Sequence, residues 1–190
     1  MLNKDADTTH SIHPLIKKRY SPRIFSDQLP AKEVLERMFE AARWAPSSMN
    51  DQPWHFIVGI KGEGDQYNLI FETLVEFNQK WAYTAPVLVL LCGNTLSAKT
   101  GKENRAFRYD CGQAAAFFSI QAMEENIYVH QMGGFDAAKA RSFFRLPAEL
   151  EPLVVLAIGY LGDAELLPAP FYDLEKAKRI RKEQTDFVKW

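Results

Sequence analysis

The fold of this chain is constrained most by one uninterrupted apolar run, Val87 to Cys92, which directly follows Pro86. A strand with one solvated face alternates apolar and polar residues, so a continuous run of this length is typical of a strand buried on both faces. A second such run occupies 152–160, and a shorter β-rich stretch occupies 54–60 before a glycine-containing turn. These strands predict a small, buried central sheet.

Helical periodicity fills most of the sequence around these strands. Apolar residues recur at helical spacing in three stretches, and Asp136 is a suitable N-cap for a fourth helix. The predicted helices run over 30–45, 69–83, 105–127 and 136–144. The third is apolar most of the way round at its centre, which predicts a place in the core. Interleaved elements in which helices outweigh strands indicate an α+β sandwich with a small central sheet.

The composition excludes several classes of function. The 190 residues suit one domain and carry 23 basic against 24 acidic side chains, a net charge of −1, which argues against a nucleic-acid or membrane surface. No apolar run approaches the roughly 20 residues that span a bilayer, and the polar N-terminus does not resemble a signal peptide. Cys92 and Cys111 have no disulfide or metal spacing, so we expect buried free thiols in a reducing, cytoplasmic compartment.

The sequence contains no recognisable motif for catalysis by side chains. Its four histidines and two cysteines lack the His-x-x-x-His and Cys-x-x-Cys spacings of zinc sites. The Gly-x-Ser-x-Gly elbow, the Walker pattern and Gly-x-Gly-x-x-Gly are also absent. If the chain is an enzyme, we therefore expect a bound cofactor to carry the chemistry, with no metal site.

Two basic clusters stand near the two ends of the chain. The first lies in 13–23 and includes Arg19, Ser21 and Arg23, a set of guanidiniums and a hydroxyl that suits phosphate. The second, 176–182, has five positive charges in seven residues. Those five residues are Lys176, Lys178, Arg179, Arg181 and Lys182. Each cluster by itself is equally typical of a solvated basic surface.

Two further segments have groups that suit a flat ligand. The proline-stiffened loop 45–54 displays hydroxyl, amide and carboxylate groups that can bind a heterocycle edge or a ribityl chain. The paired glycines Gly133 and Gly134 allow a backbone to approach such a ligand closely and to offer an N–H donor. The alternatives are ordinary turn chemistry for the loop and a helix-to-helix turn for the glycines.

The tail of the chain predicts a partner. Beyond Gly162, a proline-stiffened apolar stretch leads into a basic tail whose bulky apolar side chains cannot pack alone. Aromatic residues scattered on an exposed arm are typical of an interface, so we expect them to be buried against another subunit. These residues are Phe171, Tyr172, Phe187, Val188 and Trp190.

Taken in order, these segments resemble the FMN-dependent nitroreductases. The stretch Arg19-Tyr20-Ser21-Pro22-Arg23-Ile24-Phe25 is similar to that family's Arg-x-Ser-x-Arg-x-Phe opening, with Tyr20 where many members carry a second arginine. The stretch from Pro46 to Trp54 resembles its Pro-Ser-x-x-Asn-x-Gln-Pro-Trp loop. Further similarities, in order, are Asn78-Gln79-Lys80-Trp81, Ala85-Pro86, Gly133-Gly134 and Arg179-Ile180-Arg181. The resemblance covers residues 12 to 190.

The resemblance implies a fold and an assembly. The fold is a three-layer, nitroreductase-like sandwich in which a small mixed or antiparallel sheet is flanked by helices. One domain spans 1–190, with a polar extension over 1–11 and a C-terminal arm over 163–190 that wraps the partner subunit of a homodimer. Two FMN molecules would lie at the interface between the subunits.

The resemblance also assigns binding roles to thirteen residues. The opening motif would bind FMN from one subunit, with Arg179 or Arg181 near the phosphate, and the proline loop would reach the ring or the ribityl chain from the other subunit. Asn78 and Lys80 would lie at the pyrimidine edge, and the Gly133 N–H near flavin O4 or N5. The set is Arg19, Ser21, Arg23, Pro46, Ser47, Ser48, Asn50, Asn78, Lys80, Gly133, Gly134, Arg179 and Arg181.

The implied activity is that of an NAD(P)H oxidoreductase without a protein nucleophile. Hydride would pass from the nicotinamide to flavin N5 and then, in a ping-pong sequence, to a nitroaromatic, quinone or similar small acceptor in the same pocket. The protein would supply orientation and electrostatic stabilisation. A non-catalytic flavin-binding sensor or storage module on the same fold is the alternative.

Overall fold

A four-stranded sheet lies at the centre of the computed structural model, which describes residues 4–190. Its strands are β1 (Trp54–Ile60), β2 (Val87–Asn94), β3 (Ile127–Met132) and β4 (Leu150–Tyr160). They lie in the order β1-β2-β4-β3, and each neighbouring pair is antiparallel. The sheet is therefore antiparallel throughout, which is one of the two arrangements expected.

The central strands are buried on both faces, as their apolar runs predict. Seven of the eight residues of β2 are buried. Val89 belongs to the core on one face of the sheet, together with its β4 partner Leu156. The next pair in the ladder, Leu90 and Val155, belongs to the core on the other face. Because successive side chains of β2 point to opposite faces of the sheet, helices must cover both faces to bury this strand.

Helices form one layer on each face of the sheet. Within the described residues these are α1 (Pro14–Lys18), α2 (Lys32–Arg43), α3 (Gln66–Thr73), α4 (Glu76–Ala82), α5 (Phe107–Glu124), α6 (Ala137–Phe143) and α7 (Phe171–Lys176). One core holds Met38 of α2 and Phe118 of α5, and the other holds Ile70, Trp81 and Ala140 of α3, α4 and α6. The three-layer α+β sandwich is therefore confirmed. None of these helices is both long and apolar enough to cross a bilayer, within the part of the chain described.

The structure shortens the long helix and adds a strand that the sequence analysis missed. Helix α5 ends at Glu124 rather than at Ile127, because Asn126 takes a left-handed conformation with φ of 56°. The chain then enters β3, in which Ile127, Val129 and Met132 are buried and the residues between them are more exposed. Gly133 and Gly134 follow this strand, so they do not form a helix-to-helix turn. Periodicity alone extended the helix too far, because Ile127 is as apolar as the residues of α5.

The predicted helix over 69–83 is two helices, α3 and α4. They are separated by Leu74 and Val75, both of which have extended backbone conformations. The Val75 N–H donates to the Gly134 carbonyl at 3.1 Å, so this N–H makes a long-range backbone hydrogen bond instead of a hydrogen bond within a helix.

The N-terminal helices also differ from expectation. The predicted helix 30–45 is shorter at both ends, and part of the basic segment 13–23 forms α1.

The C-terminal arm begins by packing on its own protomer. In α7, Phe171 is buried in the protomer's core, and its ring centroid lies 5.0 Å from that of Phe77. The expectation that another subunit buries Phe171 is therefore wrong, because the protomer's own core already encloses this ring. Phe187 and Trp190 are exposed, and their burial against a partner stays a prediction.

Both cysteines are buried free thiols, as expected. Burial raises the pKa of Cys92 and of Cys111 to about 12. The reactive species of a cysteine is its thiolate, so neither residue is a nucleophile near neutral pH.

Candidate functional site

One pocket gathers basic residues from both ends of the chain. It has a volume of about 230 Å³ and is lined by the loop after α1, the end of α7 and the following arm. Its lining includes Arg19, Ser21, Arg23, Arg179 and Arg181. The structure therefore brings the two predicted basic clusters into a single site, hereafter the basic pocket.

The loop 19–23 is fixed to the sheet at two points. Immediately after the loop, Phe25 forms a bridge with Leu161 beside the end of β4. Within it, the Pro22 carbonyl lies 2.8 Å from Nδ1 of His130 on β3. Because a carbonyl oxygen only accepts, this nitrogen carries the proton and the imidazole donates. The loop thus takes its position from the two strands β3 and β4.

The guanidiniums of the basic pocket repel one another. Burial and the neighbouring charges of Arg179 and Arg181 lower the pKa of Arg19. Burial and Arg181 likewise lower the pKa of Arg179. The buried Nε of Arg23 has no hydrogen-bond partner within the described residues. A multiply charged anion relieves such repulsion and accepts hydrogen bonds from several guanidiniums at once.

The acidic side chain in the basic pocket is that of Glu175. Its Oε2 accepts a hydrogen bond from the Arg23 backbone N–H at 3.0 Å, while its buried Oε1 has no hydrogen-bond partner within the described residues. Burial raises the pKa of Glu175, and burial together with Glu175 raises the pKa of Tyr20. The Tyr20 ring packs edge-on against Tyr128 at 5.2 Å. Tyr20 therefore packs against Tyr128 of β3 beside Glu175 and supports the loop.

The N-terminal extension supplies a residue to the basic pocket that the sequence analysis missed. Lys4 lines the pocket, and its Nζ donates to the Glu175 carbonyl at 2.7 Å. These partners are 171 positions apart, and a polar extension carries no periodicity, so no sequence signal could reveal the contact. Residues 1–3 of the predicted extension lie outside the described residues.

Asn78, Gly133 and Gly134 meet at the end of β3. Asn78 Nδ2 donates to the Gly134 carbonyl at 3.0 Å. A Cβ atom on Gly134 would lie 2.8 Å from Asn78 Nδ2, whereas one on Gly133 would meet nothing within 4 Å. Gly134 is therefore needed for packing, and Gly133 leaves its backbone accessible to a ligand.

Helix α4 connects this corner with the basic pocket. The Trp81 ring lies 4.4 Å from that of His130, the residue that bonds the Pro22 carbonyl of the pocket loop. The neighbouring Lys80 is exposed, with Nζ 2.8 Å from a carboxylate oxygen of Glu76. The structure thus places Asn78 and the glycines together but pairs Lys80 with its own helix.

The proline loop lies elsewhere, where it leads into the edge strand β1. The backbones of Met49 and Asn50 are left-handed, with φ of 55° and 53°. The Ser48 N–H donates to the buried carboxylate of Asp110 at 3.0 Å, which ties the loop to the first turn of α5. Four predicted ligands in this loop do not line the basic pocket, namely Pro46, Ser47, Ser48 and Asn50. Since β3 forms the opposite edge of the sheet, one protomer does not bring this loop to the other site residues.

The arrangement is chemically suited to binding a phosphate-bearing ligand with a flat, polar ring. The basic pocket offers charge-assisted donors for the phosphate, and the corner at Asn78 and Gly133 offers an amide and an accessible backbone. Within residues 4–190, no cluster of three or more His, Cys, Asp or Glu residues could hold a metal ion.

Comparisons with known proteins agree with this reading. The model of the Nitroreductase family matches residues 16–69 and 59–160. A solved oxidoreductase containing FMN is 32% identical, with a TM-score of 0.86 over 95% of this chain and 92% of that one. A nitroreductase family protein from Clostridium difficile 630 is 27% identical, with a TM-score of 0.72 over 93% of this chain and 95% of that one. A Methanothermobacter thermautotrophicus protein, provisionally named NADH dehydrogenase/NAD(P)H nitroreductase, is 26% identical over 76% of this chain and 74% of its own length. The chain therefore belongs to the nitroreductase family.

Proposed function

We propose that this protein is an FMN-dependent NAD(P)H oxidoreductase that reduces nitroaromatics, quinones or similar small acceptors. The observation that carries the proposal is the convergence of Arg19, Arg23, Arg179 and Arg181 with the Ser21 hydroxyl on one pocket. Guanidiniums bind phosphate dianions through paired, charge-assisted hydrogen bonds, so this donor set fits the FMN phosphate. The FMN-containing relative and the NAD(P)H nitroreductase name of the archaeal relative support the same assignment.

The corner at the end of β3 fits the flavin ring. Because a Cβ on Gly133 would meet nothing within 4 Å, this backbone is accessible, and its N–H would donate to flavin O4 or N5. The Asn78 amide and the Lys80 ammonium would bind the pyrimidine edge, where a cation stabilises negative charge. Gly134 would act indirectly, by holding Asn78 in place.

The residues of the chain would bind, orient and stabilise charge, while bound FMN would supply reversible hydride acceptance. A separate dinucleotide site is not needed, and the sequence contains no Gly-x-Gly-x-x-Gly motif that would form one. NAD(P)H and the acceptor would therefore occupy one pocket in turn, which makes the reaction ping-pong.

The proposal also requires a homodimer. The proline loop is remote from the basic pocket within one protomer, so Pro46, Ser47, Ser48 and Asn50 would reach the flavin bound by the partner. The exposed face of α5, with Tyr109 73% and Phe117 44% exposed, is apolar enough to pack against a second copy. The arm, with Phe187 and Trp190 exposed, would wrap that copy.

An absorbance spectrum of the purified protein, before and after anaerobic NADPH and then NADH, tests the function. We expect flavin bands, either as purified or after addition of FMN, that bleach with at least one donor and recover with a quinone or nitroaromatic. Bands that persist with both donors would instead indicate a non-catalytic flavin-binding protein. A protein that neither contains nor takes up FMN would refute the proposal entirely.

A further inference from the structure

A short N-terminal segment crosses between α1 and the C-terminal arm. It consists of residues 4–7, hereafter the N-terminal strap. The Ala6 N–H donates to the Lys17 carbonyl at 2.9 Å. Arg179 Nη1 donates to the same carbonyl at 3.1 Å and to the Lys4 carbonyl at 2.6 Å. One guanidinium of the arm is therefore bound to the strap and to the end of α1 together.

Lys4 makes the reverse contact, from the strap to the arm. Its ammonium donates to the Glu175 carbonyl at 2.7 Å and also to the Ala177 carbonyl. These carbonyls belong to the end of α7, where a cation is favourable because the last carbonyls lack helical partners. Lys4 holds the arm at the end of α7, and Arg179 of the arm holds the strap. These reciprocal contacts of the two residues are hereafter called the clasp.

Within the described residues, the arm beyond Ala177 has few other polar side-chain contacts. The side-chain hydrogen bonds of Lys178 and Arg179 go to the strap or to the end of α1. Arg181 bonds the carbonyl of the residue next to it, which does not restrain the arm. The clasp is therefore the main polar connection that holds this part of the arm beside Arg19.

The arm needs such a restraint because its arginines are repelled by Arg19, beside which they lie. Arg179 and Arg181 lie close enough to Arg19 to lower its pKa by repulsion. The clasp binds Arg179 through two carbonyl oxygens, and the nearby negative charge of Asp5 favours the charged guanidinium. Lys178 is paired with Asp7 at 3.0 Å, whereas the Arg181 side chain bonds a backbone carbonyl and can still offer its charge to an anion in the basic pocket.

We propose that Lys4 is a positioning residue for the phosphate of the bound flavin, because it clasps the arm so that Arg179 and Arg181 face Arg19. This inference rests on the proposed function, which assigns the basic pocket to the FMN phosphate. It requires that Lys4 affects the binding of FMN but not that of riboflavin, which has the same ring and ribityl chain without the phosphate.

The test is a fluorescence titration of the flavin-free protein with FMN and with riboflavin, combined with a thermal unfolding curve for each variant. We expect Lys4→Met to raise the Kd for FMN about tenfold, as expected when charge-assisted hydrogen bonds are weakened, and to leave the Kd for riboflavin unchanged. Lys4→Arg keeps the charge and the donors and should recover most of the FMN affinity. Lys61→Met is the matched control, because Lys61 Nζ donates to the Tyr83 carbonyl at 2.7 Å outside the basic pocket.

The outcomes separate this inference from the proposed function. If the wild-type protein binds FMN no more tightly than riboflavin, the basic pocket is not a phosphate site and the proposed function loses its support. If the wild type prefers FMN but Lys4→Met weakens both flavins equally, or neither, the proposed function stands and the role of Lys4 is refuted. A loss confined to FMN, absent in Lys61→Met, supports the inference.

Discussion

Arg19 is the residue on which the electrostatics of the basic pocket centre. Burial, together with repulsion from the charges of Arg179 and Arg181, lowers its pKa. Glu175 does not fully relieve this repulsion, because burial raises the pKa of its carboxyl and the Arg23 backbone N–H already bonds its Oε2. A bound dianion would relieve the repulsion between these guanidiniums, and this relief would add to its binding free energy.

Arg19→Ala should weaken FMN binding by about 2 kcal/mol, or about 30-fold in Kd, because the phosphate loses a charge-assisted partner. A fluorescence titration measures the change. Arg37→Ala serves as the control, since Arg37 lies on the surface of α2 and forms a bidentate ion pair with Glu125. An unchanged Kd in Arg19→Ala would remove this residue from the phosphate site.

His130 should make the stability of the protein depend on pH. Burial, aided by Arg23 and Arg19, lowers its pKa from 6.5 to about 4, so the folded protein keeps the imidazole neutral while the unfolded chain protonates it below pH 6.5. The stabilisation is complete above pH 6.5 and is lost as the pH falls towards 4. At about 1.4 kcal/mol per pKa unit, the loss is roughly 3 kcal/mol.

Urea unfolding of the wild type and of His130→Asn at several pH values between 7 and 4 measures this effect. Asparagine keeps an N–H donor for the Pro22 carbonyl but does not titrate. The free-energy difference between the two proteins should shrink as the pH falls. If the free energies of unfolding of the two proteins change with pH in parallel, the pKa of His130 does not differ between the folded and unfolded states.

At the scale of secondary structure, the junction between α3 and α4 joins the fold to the site. The break at Val75 and the end of β3 share the Gly134 carbonyl, which bonds the Val75 N–H at 3.1 Å and Asn78 Nδ2 at 3.0 Å. One carbonyl thus ends the helical run and also orients a predicted flavin ligand. The same close approach leaves no room for a side chain on Gly134.

Gly134→Ala should destabilise the protein by about 1–2 kcal/mol, because the new Cβ displaces the Asn78 amide and crowds Val75. Gly133→Ala is the matched control and should change the free energy of unfolding by less than about 0.5 kcal/mol. Urea unfolding of the flavin-free variants compares them. Equal free energies of unfolding for the two variants would show that Asn78 and Val75 can move away from a Cβ at position 134 without cost.

At the scale of the whole molecule, one protomer keeps the two halves of the proposed site apart. The basic pocket and Gly133 lie towards the β3 edge, whereas the proline loop leads into β1 at the other edge. A second copy is the simplest way to bring the two halves together. The partly exposed Phe117, beside the fully buried Phe118, gives α5 an apolar outer face for that copy.

Sedimentation equilibrium should therefore give about twice the monomer mass of 21.7 kDa. Phe117→Asp places a charge on the proposed interface and should weaken the dimer by about 100-fold or more. Leu29→Asp is the control, since Leu29 is 43% exposed, close to the 44% of Phe117, but does not lie on α5. A wild-type monomer that binds FMN tightly would exclude a site shared between subunits.

Much of the fold could be predicted from local patterns. The apolar run 87–92 and the buried centre of α5 predict the middle of the sandwich, because burial on every side leaves no polar position in the sequence. These runs depend only on residue type and spacing. The grouping of Arg19, Ser21, Arg23, Arg179 and Arg181 around one phosphate came instead from the family resemblance, and their role in binding stays a prediction.

The remaining features depend on contacts between distant parts of the chain. Strand β3 was missed because its first residues are as apolar as the helix before it, and the break at Val75 exists because Gly134 supplies a hydrogen bond from far along the chain. The place of Lys4 in the basic pocket has the same origin. By itself, the sequence determined the buried strands, the helical layers and the two basic clusters, since these follow from the side chains alone. Only the tertiary structure decided where helices end and which residues meet, because long-range hydrogen bonds and packing override local preference.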